Sequence, residues 1–191
     1  RYASVPTVSA IRGLALGGGC EMAVYSAKRV AAMESYIGLV EVGVGLVPGA
    51  GGLAYIARRA AENAAASTNK ELLAFITEGF TAAAMAKVGT SAIESRQLGY
   101  LLDGDVPHKD ELLFVAITQA RAMFASGYRA PQRRPFAVVG RSGAATIKGS
   151  LVNMRDGGFI SAHDFHIASL IAHVVCGGDV DAGTLVTEEY L

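Results

Sequence analysis

The chain is short of cysteine, of net charge and of any long hydrophobic run, and each shortage removes a class of protein. It has two cysteines, Cys20 and Cys176, with no metal-ligand spacing and too few to staple a disulfide scaffold. A reducing, cytoplasmic setting is the expectation. Lys plus Arg and Asp plus Glu balance at 17 each, so no charge excess points to nucleic acid or an anionic membrane surface. No apolar run approaches the roughly 18–20 residues of a membrane-spanning helix. No signal peptide is visible, and the first residue is Arg1 rather than Met, which reads as a fragment or a processed chain. What is present is 191 residues of which 51% are hydrophobic, enough for a core in one domain, or in one domain and a small appendage.

The pattern along the chain is α/β in its first part and helical later. "TVSAIRGLAL" (7–16) is β-branched and apolar and reads as a strand. It runs into Gly17, Gly18 and Gly19, and "CEMAVYSAK" (20–28) follows with helical composition. "RVAAME" (29–34) reads as a second, buried strand. "YIGLVEVGVGLVPGAGGLAYIARRA" (36–60) starts as a glycine-punctuated loop; Pro48 and the glycines after it open a helix with Leu53, Ile56 and Ala57 on one face. Further helices are expected over 70–80, closed by Gly79, over 81–89, and over 91–99, the last with a Ser91/Glu94 capping box. The longest candidate, 110–127, begins with an Asp N-cap. "YRAPQRRP" (128–135) reads as a linker. Two helices follow it, and a last one starts near Thr187. These features divide the chain into a core over 1–127 and a helical C-terminal region over 128–191.

Three adjacent glycines at a strand-to-helix turn leave backbone N–H groups aimed outward, with the positive end of the helix dipole behind them. Such a turn suits a phosphate or a carbonyl oxygen that becomes anionic during reaction. The phosphate motifs fail. A P-loop needs Gly-Lys-Ser/Thr, whereas Gly19 is followed by Cys20 and Glu21. A dinucleotide fingerprint needs G-x-G-x-x-G, and "GVGLVP" (43–48) ends on Pro48. A carboxylate at Glu21 suits the oxyanion reading better, since it can position water or move a proton. Glu41 is a second carboxylate in a glycine-rich, apolar loop, and two such groups can divide acid and base work. The residues alone leave open a plainer reading, in which the glycines permit close packing and the glutamates are solvated.

"IRGLALGGGCEMAV" followed by "YIGLVEVGVGLVPGAGG" resembles the enoyl-CoA hydratase (crotonase) family, whose pattern is A-x-G-G-G-C-E, then F-G-x-P-E, then P-G-x-G-G. Two positions depart from it: Val40 stands for the Pro before the second glutamate and Ile37 for the Phe. "GYRAP" and the stretch from Gly157 to Leu191 are most similar to the C-terminal hydratase portion of bacterial bifunctional 3-hydroxyacyl-CoA dehydrogenases. The resemblance implies a crotonase-like (ββα spiral) core, N-terminally incomplete, with a helical C-terminal part. It implies hydration of trans-2-enoyl-CoA to 3-hydroxyacyl-CoA in fatty-acid β-oxidation. Gly18 then supplies one oxyanion-hole N–H, with the second outside this chain, and Glu21 and Glu41 match the catalytic glutamates. Gly17, Gly19, Gly49 and Gly51 line the substrate site. The implied partners are an acyl-CoA thioester and the dehydrogenase domains of a parent chain, where any NAD would bind; no cofactor is expected here, and homo-oligomer formation stays open. The isolated chain is expected to hydrate slowly.

Two other readings of the same family and chain are an enoyl-CoA isomerase using one carboxylate and a non-catalytic docking domain. His163, His166 and His173 recur on one helix face, but they lack a fourth ligand, so a polar stripe is expected and no metal. Cys20 has no histidine near it in sequence and is expected to be a small buried residue. Arg133 and Arg134 are expected to solvate the linker.

Overall fold

In the computed structural model, which describes residues 1–191, the chain forms five strands, seven α-helices and one 3₁₀ turn. Contacts group them into two compact units, each made of two chain segments. Unit 1 comprises Arg1–Leu39 and Val88–Arg133; unit 2 comprises Val40–Lys87 and Arg134–Leu191. The second unit resumes at Arg134, a few residues past the 127/128 break expected from composition, and it also takes the Val40–Lys87 segment. No helix is long and apolar enough to cross a membrane.

Unit 1 is built on a parallel sheet of order β1-β2-β3, with β1 at Val8–Leu16, β2 at Lys28–Gly38 and β3 at Val106–His108. Helices α1 (Gly18–Val24), α4 (Ala92–Gln97) and α5 (Leu112–Ala125) belong to the same unit. The central strand carries a continuous buried run, Arg29 to Ala32, as expected where both faces are covered. β1 pairs with β2 from Val8↔Lys28 to Leu16↔Gly38, with one register shift between Ile11 and Gly13. There β2 carries two extra residues, and the fully buried Ser35 hydroxyl donates to Ile11 O at 3.2 Å.

A buried ion pair ties this sheet to the loop before β3. Arg29 Nε donates to Asp105 Oδ2 at 2.5 Å, and both side chains are at most 4% exposed. The second carboxylate oxygen accepts from Arg29 N at 2.8 Å, and Leu102 N donates to Oδ2 at 2.7 Å. Arg29 Nη1 reaches Val24 O, and Arg96 Nη2 reaches Asp105 O. Each charge therefore meets several partners, the condition under which an ion pair is tolerated in the interior.

Unit 2 is mainly helical. It contains the 3₁₀ turn Glu41–Val44, α2 (Gly52–Ala66), α3 (Leu72–Ala84), α6 (Gly140–Asp156) and α7 (Ala162–Val175). A short antiparallel pair, β4 (Phe136–Ala137) with β5 (Leu185–Val186), completes it. Ile76, Ile171 and Val175 are fully buried in its core. Arg58 on α2 donates to Glu188 at 2.6 Å and so ties the C-terminal segment down.

The α/β class and the helical C-terminal part agree with expectation, but several element boundaries move. α1 ends at Val24, short of Lys28. β2 runs on through Ile37 and Gly38, which the glycine content had assigned to a loop. The helix over 70–80 does not stop at Gly79; α3 passes through it to Ala84, and no separate helix spans 81–89. Thr81, taken as a cap, instead donates its hydroxyl to Thr77 O inside α3. In α4, Ser91 Oγ accepts from Glu94 N as expected, while the Glu94 carboxylate turns back to Thr90. The N-cap of α5 is Glu111, at φ 52°, rather than Asp110. No helix begins at Thr187; the backbone before it is taken by β5.

Gly79 stays in the helix because α2 and α3 approach closely there. A Cβ built on Gly79 would lie 2.5 Å from Ile56 Cγ2, inside van der Waals contact. Gly149 in α6 has open space around the same position. Glycine in a helix interior costs about 0.5–1 kcal/mol relative to alanine. Gly149→Ala should therefore stabilise by about that amount, and Gly79→Ala should destabilise by about 1–3 kcal/mol through overpacking. Chemical denaturation of both variants checks the opposite signs. By the same method Asp105→Ala should cost about 3–5 kcal/mol, the usual consequence of stranding a buried charge.

Candidate active site

Where β1 ends, the chain must leave a parallel ladder and enter a helix within one residue. Gly17 makes that step at φ 55°, ψ −124°, a conformation open to glycine and strained for other residues. Its amide still serves the sheet, donating to Gly38 O at 2.9 Å. The first intrahelical donor is Glu21 N, to Gly17 O at 3.0 Å. The amides of Gly18 and Gly19 thus follow the last ladder bond and precede the first helical one, at the positive end of α1. Both residues are exposed, and a Cβ at either would meet nothing within 4 Å.

Behind these amides, on the inner side of α1, Cys20 is fully buried and Glu21 is only 3% exposed. The Glu21 side chain is thus largely out of water, two and three residues along the chain from the exposed Gly19 and Gly18. Cys20 is a free thiol, in keeping with a packing role.

Glu41 opens the 3₁₀ turn of unit 2. It is half-buried, with Oε2 out of contact with solvent. The turn is closed by main-chain bonds: Gly43 N to Val40 O at 2.9 Å, Gly45 N to Val42 O at 2.9 Å and Leu46 N to Glu41 O at 3.0 Å. Gly45 ends it in the left-handed region, at φ 76°. Farther on, Gly49 is exposed, and Gly51 is the N-cap of α2 at φ 101°, so a helix does open beyond Pro48. Gly17, Gly18, Gly19 and Glu21 therefore stand together in unit 1, and Glu41, Gly49 and Gly51 belong to unit 2.

The histidine stripe resolves into separate contacts. His163 Nε2 lies 3.1 Å from Gly45 O, whereas His173 Nδ1 lies 3.9 Å from Asp179. No group of three or more His, Cys, Asp or Glu side chains is placed to hold a metal. Arg133 stacks on the Tyr2 ring at 4.9 Å instead of only solvating a linker. Cys176, buried at the end of α7, has its thiol pushed up to about 11 by that burial, with Lys148 opposing. Sequence reasoning missed the His163–Gly45 contact; the two residues are 118 positions apart and no local motif joins them.

The family model described as enoyl-CoA hydratase/isomerase matches residues 2–92, the segment that holds all seven candidate site residues. Over its whole length the chain is 38% identical to a Bacillus subtilis (strain 168) protein named "Probable 3-hydroxyacyl-CoA dehydrogenase", of which it spans 24%. Over 54 residues, 28% of this chain and 8% of the relative, it is 54% identical to the fatty acid oxidation complex subunit alpha of Colwellia psychrerythraea (strain 34H / ATCC BAA-681). Among solved structures, enoyl-CoA hydratase from Mycobacterium tuberculosis H37Rv matches 90% of this chain and 55% of its own, with 23% identity and a TM-score of 0.48. The chain thus spans under a quarter of the length of these first relatives.

The two exposed-amide glycines and Gly17 should respond differently to alanine. Gly17→Ala forces a side chain into a glycine-only conformation and should cost about 1–3 kcal/mol. Gly18→Ala keeps its N–H, has room for a methyl group and should leave the unfolding midpoint within about 0.5 kcal/mol of the parent. Thermal unfolding of the two variants side by side reads the difference.

Proposed function

We propose that the polypeptide carrying this chain hydrates trans-2-enoyl-CoA thioesters to 3-hydroxyacyl-CoA, within fatty-acid oxidation. The observation that carries this reading is the β1–α1 turn, where the Gly18 amide stands at a helix start with the buried Glu21 carboxylate three residues on. The family of residues 2–92, which hold both glutamates, supports the acyl-CoA substrate class. The names of the relatives support a parent that also oxidises 3-hydroxyacyl-CoA, the product of the proposed hydration.

In this mechanism the thioester oxygen accepts from Gly18 N–H. Attack at C3 pushes electron density through the double bond onto that oxygen, so the donor gains strength as charge develops. One such donor is worth about 3–4 kcal/mol of barrier. Glu21, ionised, takes a proton from water as the oxygen bonds to C3. Glu41, protonated, delivers its proton to C2 as the enolate collapses. The net addition is one water, and a proton must pass from Glu21 back to Glu41 before the next turnover. The mechanism requires both carboxylates within hydrogen-bond reach of one water molecule.

Glu21→Gln and Glu41→Gln, made in the full-length polypeptide, should each lower turnover with a short trans-2-enoyl-CoA by about 10²-fold or more. Acyl-CoA affinity should change little, because the amide keeps the carboxylate's shape. Any dehydrogenation of 3-hydroxyacyl-CoA by the same polypeptide should survive both changes. Near-normal hydration by Glu41→Gln would instead point to the one-carboxylate chemistry of an isomerase, which the family's description also covers.

A further inference from the structure

We infer that His163 is a positioning residue for Glu41, acting through the carbonyl of Gly45; this rests on the reading that Glu41 transfers a proton. Glu41 stands at the start of a four-residue 3₁₀ turn, and Gly45 is the residue that ends it. Short 3₁₀ segments have poor hydrogen-bond geometry and little stability of their own. Val44 in the turn is 75% exposed and Leu46 just beyond it 59%, so neither apolar side chain packs the turn down. It therefore needs a hold from outside itself if the Glu41 carboxylate is to stay in place within fractions of an ångström, as proton transfer demands.

His163 supplies that hold. Its Nε2 lies 3.1 Å from Gly45 O, and a carbonyl oxygen only accepts, so Nε2 carries the proton. The imidazole can donate this bond neutral or charged. The fit is close on the other side too: a Cβ at Gly45 would come within 3.0 Å of His163 Nε2. Gly45 is thus required both for its left-handed backbone and for the approach of the ring.

The helix behind the histidine is capped and packed. His163 occupies the first turn of α7, where Ser161 and Asp164 form a full capping box. The Asp164 carboxyl is held below its usual range by hydrogen bonds from the Ser161 hydroxyl and amide. Arg155 lies over the Phe165 ring at 4.6 Å, and Ile167, Ala168, Ile171 and Ala172 seat the helix in the core. The chain thus runs from a packed helix, through one side-chain hydrogen bond, to the main chain of the turn that carries Glu41.

The test compares His163→Ala, His163→Gln and Glu41→Gln in the full-length polypeptide, with steady-state kinetics on a short trans-2-enoyl-CoA and thermal unfolding of each. A net hydrogen bond of this kind corresponds to about two- to tenfold. His163→Ala should lower kcat by about that factor with KM within about twofold, since the contact positions a proton donor and binds no substrate. His163→Gln, which keeps an N–H at the same reach, should recover most of the loss, and the unfolding midpoint should not track kcat. Unchanged kcat in His163→Ala, beside a large loss in Glu41→Gln, would overturn the positioning role and leave the Glu41 reading standing. A kcat loss that follows the midpoint and is not rescued by glutamine would also overturn it, as a merely structural contact. Full activity in Glu41→Gln would remove the reading on which the inference rests.

Discussion

The hydrogen bond from Gly17 N–H to Gly38 O is the constraint on which the candidate site in unit 1 depends. It is the last bond of the β1–β2 ladder, and its donor belongs to a residue already turned out of strand conformation. A residue that must keep a sheet bond and also redirect the chain into a helix has almost no conformational freedom left. Glycine meets both demands; a side chain would have to give up one of them. Because the turn is fixed by main chain at both ends, the start of α1 that carries Gly18 and Glu21 inherits its place from the sheet.

The same economy explains why a charged pair lies under the sheet. An apolar contact could bury as much surface as Arg29 and Asp105, and replacing such a pair with hydrocarbon is often neutral or better for stability. Hydrocarbon is not directional, however. Asp105 binds the backbone and side chain of Arg29 and the amide of Leu102, and Arg29 reaches the carbonyl that ends α1. These bonds set the start of β2, the loop before β3 and the end of α1 relative to one another within unit 1. The arrangement favours register, which in a three-stranded parallel sheet with short β3 has few other determinants.

How much of this was legible in the sequence depended on whether the signal was local. The strand before the three glycines, the helix beyond Pro48 and the cap at Ser91 are written in adjacent residues and were read correctly. Gly79 was misread because a glycine that ends a helix and one that lets two helices touch look the same in sequence; only Ile56, on another element, tells them apart. Gly38 was misread for a related reason: glycine inside a strand is uncommon, and here its carbonyl is needed by Gly17. The helix expected from Thr187 does not form; the two residues before it, Leu185 and Val186, pair with Ala137 and Phe136, and pairing over that distance leaves no periodic mark. Glu21 and Glu41 stand out as candidates in the sequence because each lies in a glycine-rich motif. The contacts of His163 and Asp105 leave no mark in the sequence, since their partners are 118 and 76 residues away.

The two glutamates also illustrate different ways of holding a carboxylate. Glu21 is placed by a helix whose first turn is pinned to a sheet, and it is buried by the packing of that helix. Glu41 is placed by a single 3₁₀ turn, half-buried, with its own main-chain bonds and one side-chain contact from α7. A group that must take a proton from water as a new bond forms gains from tight placement. A group that must exchange its proton between turnovers gains from access to solvent. The difference in burial between the two side chains suits the division of labour proposed above, in which the deeper carboxylate activates water and the shallower one delivers and recovers a proton.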